Sequence, residues 1–166
     1  MTVIKVNRPH DQGLIREVPL MNAQALEDIL SKAHRLFLNT EQWLPAYERI
    51  EILERVAQIM TEQVDKLTKI AAQEGGKPYQ DSKVEVLRAV NGVKLAIEYM
   101  SHIKGEQIPM GHTRSSSQRL AYTMREPIGL VASVSAFNHP LNLTVHQTVP
   151  AIAVGSPVII KPAKVT

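Results

Sequence analysis

Gly129-Leu-Val-Ala-Ser-Val-Ser-Ala-Phe-Asn-His-Pro140, followed by Val149-Pro-Ala-Ile-Ala-Val-Gly155 and Pro157-Val-Ile-Ile-Lys161, decides how this chain folds. The run Gly129–Ser135 is almost uncharged, the composition of a strand covered on both faces. Pro140 suits the first turn of a helix, where its missing N–H would have no partner anyway. That helix should run to about Val154 and stop at Gly155. Pro157–Lys161 reads as a second short, buried strand. Strand, helix and strand within about thirty residues make a βαβ unit, expected to be parallel and right-handed.

Upstream, the periodicity changes to helical. Asn22 can cap a helix whose apolar residues Leu26, Ile29, Leu30, Ala33 and Phe37 recur at helical spacing. Pro45 opens a long second helix with the stripe Ile52, Val56, Ile59, Met60, Leu67, Ile70 and Ala71. Gly75-Gly76 end it and Pro78 prevents its continuation. A third helix, from about Gln80 to His102, carries Val86, Val90, Val93, Ile97 and Met100, with a weaker stripe at Val84, Arg88, Asn91 and Leu95. These three helices account for the first hundred residues. Between Gly105 and Pro127, extended runs near Gln107–Met110 and Gln118–Arg125 flank a polar turn and read as a hairpin or arm.

Composition narrows the function. The chain has 166 residues, enough to bury a core, with 19 Lys+Arg against 16 Asp+Glu and a formal charge of +3. That charge is too mild for a dedicated nucleic-acid or membrane-surface binder. From Pro127 onward only Lys161 and Lys164 are charged. Cysteine is absent, which removes disulfides, Cys-ligated zinc and a thiol nucleophile from these residues. No apolar run approaches the roughly 20 residues that span a bilayer, and the first residues lack the apolar core of a secretory signal. A soluble, cytoplasmic protein is expected. The six histidines show no metal-binding spacing. A two-stranded parallel sheet cannot cover its own edges, so Thr166 is not expected to be a natural domain end.

The ordered elements Arg125-Glu-Pro-Ile-Gly129, Phe137-Asn-His-Pro140, Val149-Pro-Ala…Gly155 and Ile160-Lys-Pro-Ala163 resemble the aldehyde dehydrogenase superfamily, as does Glu74-Gly-Gly-Lys-Pro78. The resemblance covers the whole chain, which would be the N-terminal third of a longer enzyme. It implies an α/β fold: N-terminal helices (1–104), an oligomerisation hairpin (105–127) and the first βαβ unit of a Rossmann-like dinucleotide-binding domain (128–166). The Gly-x-Gly-x-x-Gly fingerprint is missing, but the family does not rely on it.

The same resemblance assigns roles. Asn138 would donate its side-chain amide to the oxyanion formed when a cysteine attacks an aldehyde. Read from its neighbours alone, Asn138 could equally cap the helix that begins at Pro140. Lys161 would contact the adenosine ribose of NAD or NADP, at the strand end where a doubly wound sheet opens its crevice. Val134, Ser135, Ala136, Phe137, Pro162, Ala163 and Lys164 would line that crevice. Lys164 replaces an acidic residue common in the family, which implies tolerance of NADP. His139, Leu143 and His146, with Arg88, would border the aldehyde entrance. One Arg and two His suit an anionic tail, and the wording Asn138-His-Pro-Leu-Asn142 resembles members acting on phosphonoacetaldehyde or similar short charged aldehydes. His139 and Lys164 depart from the family pattern. The full enzyme would be a homodimer or homotetramer, with its nucleophilic Cys and its Glu base beyond Thr166. The alternative is a small non-catalytic binding or assembly module of the same shape.

Overall fold

Two short β-branched runs pair before any helix begins, in a computed structural model that describes residues 2–164. Strands β1 (Val3–Asn7) and β2 (Leu14–Pro19) form an antiparallel hairpin with an irregularity between Val6 and Asn7. Arg8 Nε donates to the Asp11 carboxylate at 2.9 and 3.1 Å, and the Gly13 N–H donates to Asp11 Oδ1 at 2.9 Å. Three helices therefore do not account for the first hundred residues. The turn cluster Pro9-His-Asp-Gln-Gly13 between two runs of Val, Ile and Leu is a hairpin signal that the helical periodicity overshadows.

Helix α1 (Ala23–Leu38) starts as expected, with Asn22 Oδ1 accepting from the Ala25 N–H at 2.8 Å. Its stripe is only half covered: Leu26 and Ile29 are exposed, and Phe37 stacks on Trp43 with ring centroids 5.5 Å apart. The expected single helix after Pro45 is two. Helix α2 (Ala46–Glu62) and α3 (Val64–Gly75) meet at Gln63, whose φ of −105° and ψ of 15° leave the helical well. Thr61 Oγ1 donates to the Ala57 carbonyl at 2.7 Å just before the break, a side-chain bond to position i−4 that bends helices.

Helix α4 (Tyr79–Met100) is central and contacts α2, α3 and α5 (Pro140–Val154). The core joins Leu53 and Ala57 of α2, Ala89 and Val93 of α4, and Val145, Val149 and Ala153 of α5. An alanine on each helix lets the three backbones approach, while Leu53 and the valines fill what remains. On α2 the buried positions are Leu53 and Ala57, one residue after the expected Ile52 and Val56. Val56 is half-buried, whereas Ile52 and Ile59 are exposed.

The arm forms, but its ladder is short. Strand β3 (Gln107–Ile108) pairs with β4 (Ala121–Tyr122) through two residue pairs, and Pro109, having no N–H, ends it. Gly105 is needed at the arm's base, since a Cβ there would overlap the Thr123 carbonyl. Strands β5 (Val131–Val134) and β6 (Val158–Lys161) are parallel, in register from Val131↔Val158 to Val134↔Lys161, and α5 packs on both. Within these residues only one face of β5 is covered. Ser133 is buried under α5, but Ala132 and Val134 are exposed, because α5 covers one face only.

Leu53 is 1% exposed where α2, α4 and α5 meet. Leu53→Ala is expected to lower unfolding free energy by about 2–5 kcal/mol, read by urea denaturation. A loss below about 0.5 kcal/mol, the scatter of surface substitutions, would show that this cluster is not the core.

Candidate functional site

Helix α5 begins without a cap of its own. Its N-cap residue is His139, which makes no side-chain cap bond, and Pro140 occupies the first helical position. The N–H groups of Leu141 and Asn142 instead reach across to Glu85 on α4, donating to Oε1 at 3.0 and 3.3 Å. Glu85 is 1% exposed. An uncompensated carboxylate at that depth would cost several kcal/mol, and here the N-terminus of α5 supplies both donors and a favourable dipole. The second oxygen, Oε2, is ion-paired to Lys77 and lies 3.4 Å from His139 Nδ1.

Lys77 continues the network. Its Nζ donates to the backbone carbonyl of Asn138 at 2.7 Å and lies 3.4 Å from His139 Nδ1. The loop that carries Asn138 is thus bound from the side by α4 and by the Gly76-Lys-Pro78 turn. From below it is bound by Ser135, whose hydroxyl donates to the Pro140 carbonyl at 3.1 Å and accepts from Thr144 Oγ1 at 3.0 Å. The far end of α5 is held similarly. Arg49 Nη1 donates to the Ala153 carbonyl at 2.5 Å, and burial pushes that guanidinium below its ordinary pKa. Gly155, at φ 93°, ends the helix in a conformation and a space that admit no Cβ without crowding Arg49.

Asn138 itself is exposed, and among the described residues its side-chain amide makes no hydrogen bond. It does not cap α5, because Glu85 does.

Immediately alongside, the carboxyl ends of β5 and β6 bring the expected crevice residues together. Val134 is the partner of Lys161, and the Ser135 N–H donates to the Lys161 carbonyl at 3.1 Å. Val134, Ala136, Phe137, Lys161, Pro162 and Lys164 are exposed there; Ser135 is buried and Ala163 half-buried. Lys161 Nζ folds back to the Pro162 carbonyl at 2.9 Å. Lys161 and Lys164 thus lie exposed at and just beyond the ends of the parallel strands. Gln147 finishes the strand from above, accepting from Ser133 Oγ at 2.7 Å and donating to the Val134 carbonyl at 3.1 Å.

The four expected entrance residues separate. Arg88 and His146 share an open groove of about 520 Å³ between α4 and α5, lined also by Val84, Asn91, Leu95 and Asn142. Leu143 does not line that groove, and His139 turns its Nδ1 toward Glu85 and Lys77. Sequence reasoning passed over Glu85 because a lone Glu on an apolar helical stripe has no spacing signature. Lys77 stood in a motif without a role.

The sequence pattern of the aldehyde dehydrogenase family matches residues 1–166. The chain is 33% identical over 158 residues to lactaldehyde dehydrogenase of Methanocaldococcus jannaschii, covering 95% of this chain and 33% of that protein. It is 38% identical over 120 residues to 3-sulfolactaldehyde dehydrogenase of Priestia aryabhattai, covering 72% of this chain and 25% of that one. Aldehyde dehydrogenase 21 of Physcomitrella patens, solved with its reaction product succinate, superposes with a TM-score of 0.93 at 30% identity, over 99% of this chain and 34% of that one. Glyceraldehyde-3-phosphate dehydrogenase GapN of M. jannaschii, complexed with NADP, gives 0.88 at 32% identity, over 97% and 34%. The chain therefore spans about a third of the length of the relatives it matches.

Gln147→Leu would strand the buried Ser133 hydroxyl and remove the bond to the Val134 carbonyl. A loss of about 1–3 kcal/mol in unfolding free energy is expected, measured by urea denaturation. A variant as stable as the parent would show that β5 does not depend on that side chain.

Proposed function

Because this chain belongs to the aldehyde dehydrogenase family, we propose that it contributes the oxyanion donor and one wall of the nucleotide crevice to an NAD(P)-dependent enzyme oxidising a small, anionic aldehyde to its acid. The observation that carries the reading is Asn138, exposed and unpaired at its amide, on a loop fixed from two sides beside the carboxyl ends of β5 and β6.

The chemistry divides accordingly. The dinucleotide, when bound, supplies the hydride acceptor. Lys161 and the chain around Val134–Phe137 would hold its adenosine end. These 166 residues hold no cysteine, so the attacking thiolate comes from elsewhere in the enzyme, as does the Glu base. As the thiolate adds to the carbonyl carbon, the carbonyl oxygen gains negative charge. Asn138 would donate to that oxygen from a backbone held in place through its own carbonyl. Lys164, exposed three residues beyond Lys161, would add positive charge to the cofactor side and so make a 2′-phosphate, and with it NADP, acceptable.

The substrate class rests on Arg88 and His146, which place a guanidinium and an imidazole in one groove. A carboxylate, phosphonate or sulfonate tail is what such donors recognise. Among the relatives' names, 3-sulfolactaldehyde and glyceraldehyde 3-phosphate are anionic, whereas lactaldehyde is neutral; the anionic reading therefore rests on the groove. Leu120, Tyr122 and Met124 of the arm are 75%, 64% and 68% exposed. That apolar surface suits pairing between subunits in a cytoplasmic homo-oligomer.

Asn138→Ala in the full-length enzyme should lower kcat by about 10²–10³-fold while leaving NAD(P) affinity within about twofold. An unchanged kcat would remove Asn138 from the chemistry. On a panel of acetaldehyde, hexanal, succinic semialdehyde and phosphonoacetaldehyde, an anionic substrate should lead in kcat/KM, and Arg88→Ala should raise its KM. Hexanal leading, or an unmoved KM, would contradict the anionic pocket.

A further inference from the structure

We propose that Glu85 and Lys77 are positioning residues for the Asn138 donor, an inference that rests on the reading of Asn138 given above. Of the four free N–H groups at a helix N-terminus, one is ordinarily satisfied by a Ser, Thr, Asp or Asn at the N-cap. Here that position is His139 and makes no such bond. The donors go instead to a carboxylate on a different helix, almost completely removed from water. A remote, buried charge is a costly way to satisfy two N–H groups, and removing either partner would leave the other exposed to the desolvation penalty.

What it adds over a local cap is geometry. One carboxylate binds the start of α5 through Oε1 and Lys77 through Oε2, and the same ammonium binds the carbonyl of Asn138. The peptide that bears the donor and the helix that follows it are thereby fixed to α4, the central element of the fold. His139 lies 3.4 Å from both charges and closes the ring of contacts. A donor that must meet developing charge within a few tenths of an ångström needs this kind of support. Neither Glu85 nor Lys77 is placed to touch the reacting carbonyl; both act through Asn138.

The test uses the full-length enzyme and whichever aldehyde of the panel above turns over fastest. Glu85→Gln keeps the shape but loses the charge that holds Lys77. Lys77→Met removes the bond to the Asn138 carbonyl, and Lys77→Arg retains a cation. Glu85→Gln and Lys77→Met are each expected to lower kcat about 10–100-fold, with NAD(P) affinity by fluorescence titration within about twofold and partial recovery in Lys77→Arg. In an Asn138→Ala background, the same substitutions should produce no further loss in kcat. A merely structural role predicts multiplying effects. Multiplicative losses, or wild-type kcat in Lys77→Met, would overturn the inference while leaving the role of Asn138 standing. Wild-type kcat in Asn138→Ala alone would overturn both. Lys77, half-buried near the surface, keeps the test available if Glu85→Gln does not fold.

Discussion

The buried carboxylate of Glu85 is the constraint on which the rest of the arrangement depends. It lies where α4, the start of α5 and the Gly76-Lys-Pro78 turn converge, and each of its oxygens holds a different element. Water is excluded from it, so its charge is screened little and its partners cannot be exchanged for solvent. Arg49 does the complementary work at the other end of α5. The helix is thus oriented by a negative charge at its N-terminus and a positive charge at its C-terminus, both supplied by other helices. Those are the signs its dipole favours.

Orientation of α5 propagates into the sheet. Gln147 and Thr144 descend from the helix to fix the end of β5, through Ser133, the Val134 carbonyl and Ser135. The Ser135 N–H then bonds to the Lys161 carbonyl and closes the β5 and β6 ends against one another. The exposed residues around Asn138 and Lys161 therefore rest on buried polar contacts rather than on loop flexibility. The core of Leu53, Val93 and Val149 sets the distance between the helices. The polar network sets their register.

What could be read from the sequence followed physical signal strength. Pro140 and Gly155 bracket α5, and the structure begins and ends that helix at Pro140 and Val154. Asn22 caps α1, and the β5–α5–β6 unit is parallel as its composition requires. The break at Gln63 was not legible, because no Pro or Gly marks it and the apolar stripe continues through it. The β1–β2 hairpin was masked by its short strands. Among site residues, Asn138 and Lys161 lie in local motifs, while Glu85 caps α5 through partners 56 and 57 residues away. Contacts between elements leave no periodicity, so tertiary capping is invisible to a pattern reading. The contacts of His139 have the same origin, since its Nδ1 lies 3.4 Å from both Glu85 and Lys77.

Amide hydrogen exchange at Leu141 and Asn142 tests this account most directly. First-turn helix amides ordinarily exchange fast, having no intrahelical partner. If Glu85 caps α5 from α4, both amides should be protected in the full-length protein to the level of the α4 interior, and that protection should fall selectively in Glu85→Gln. Exchange at the rate of solvent-exposed first-turn amides in the unsubstituted protein would contradict the account.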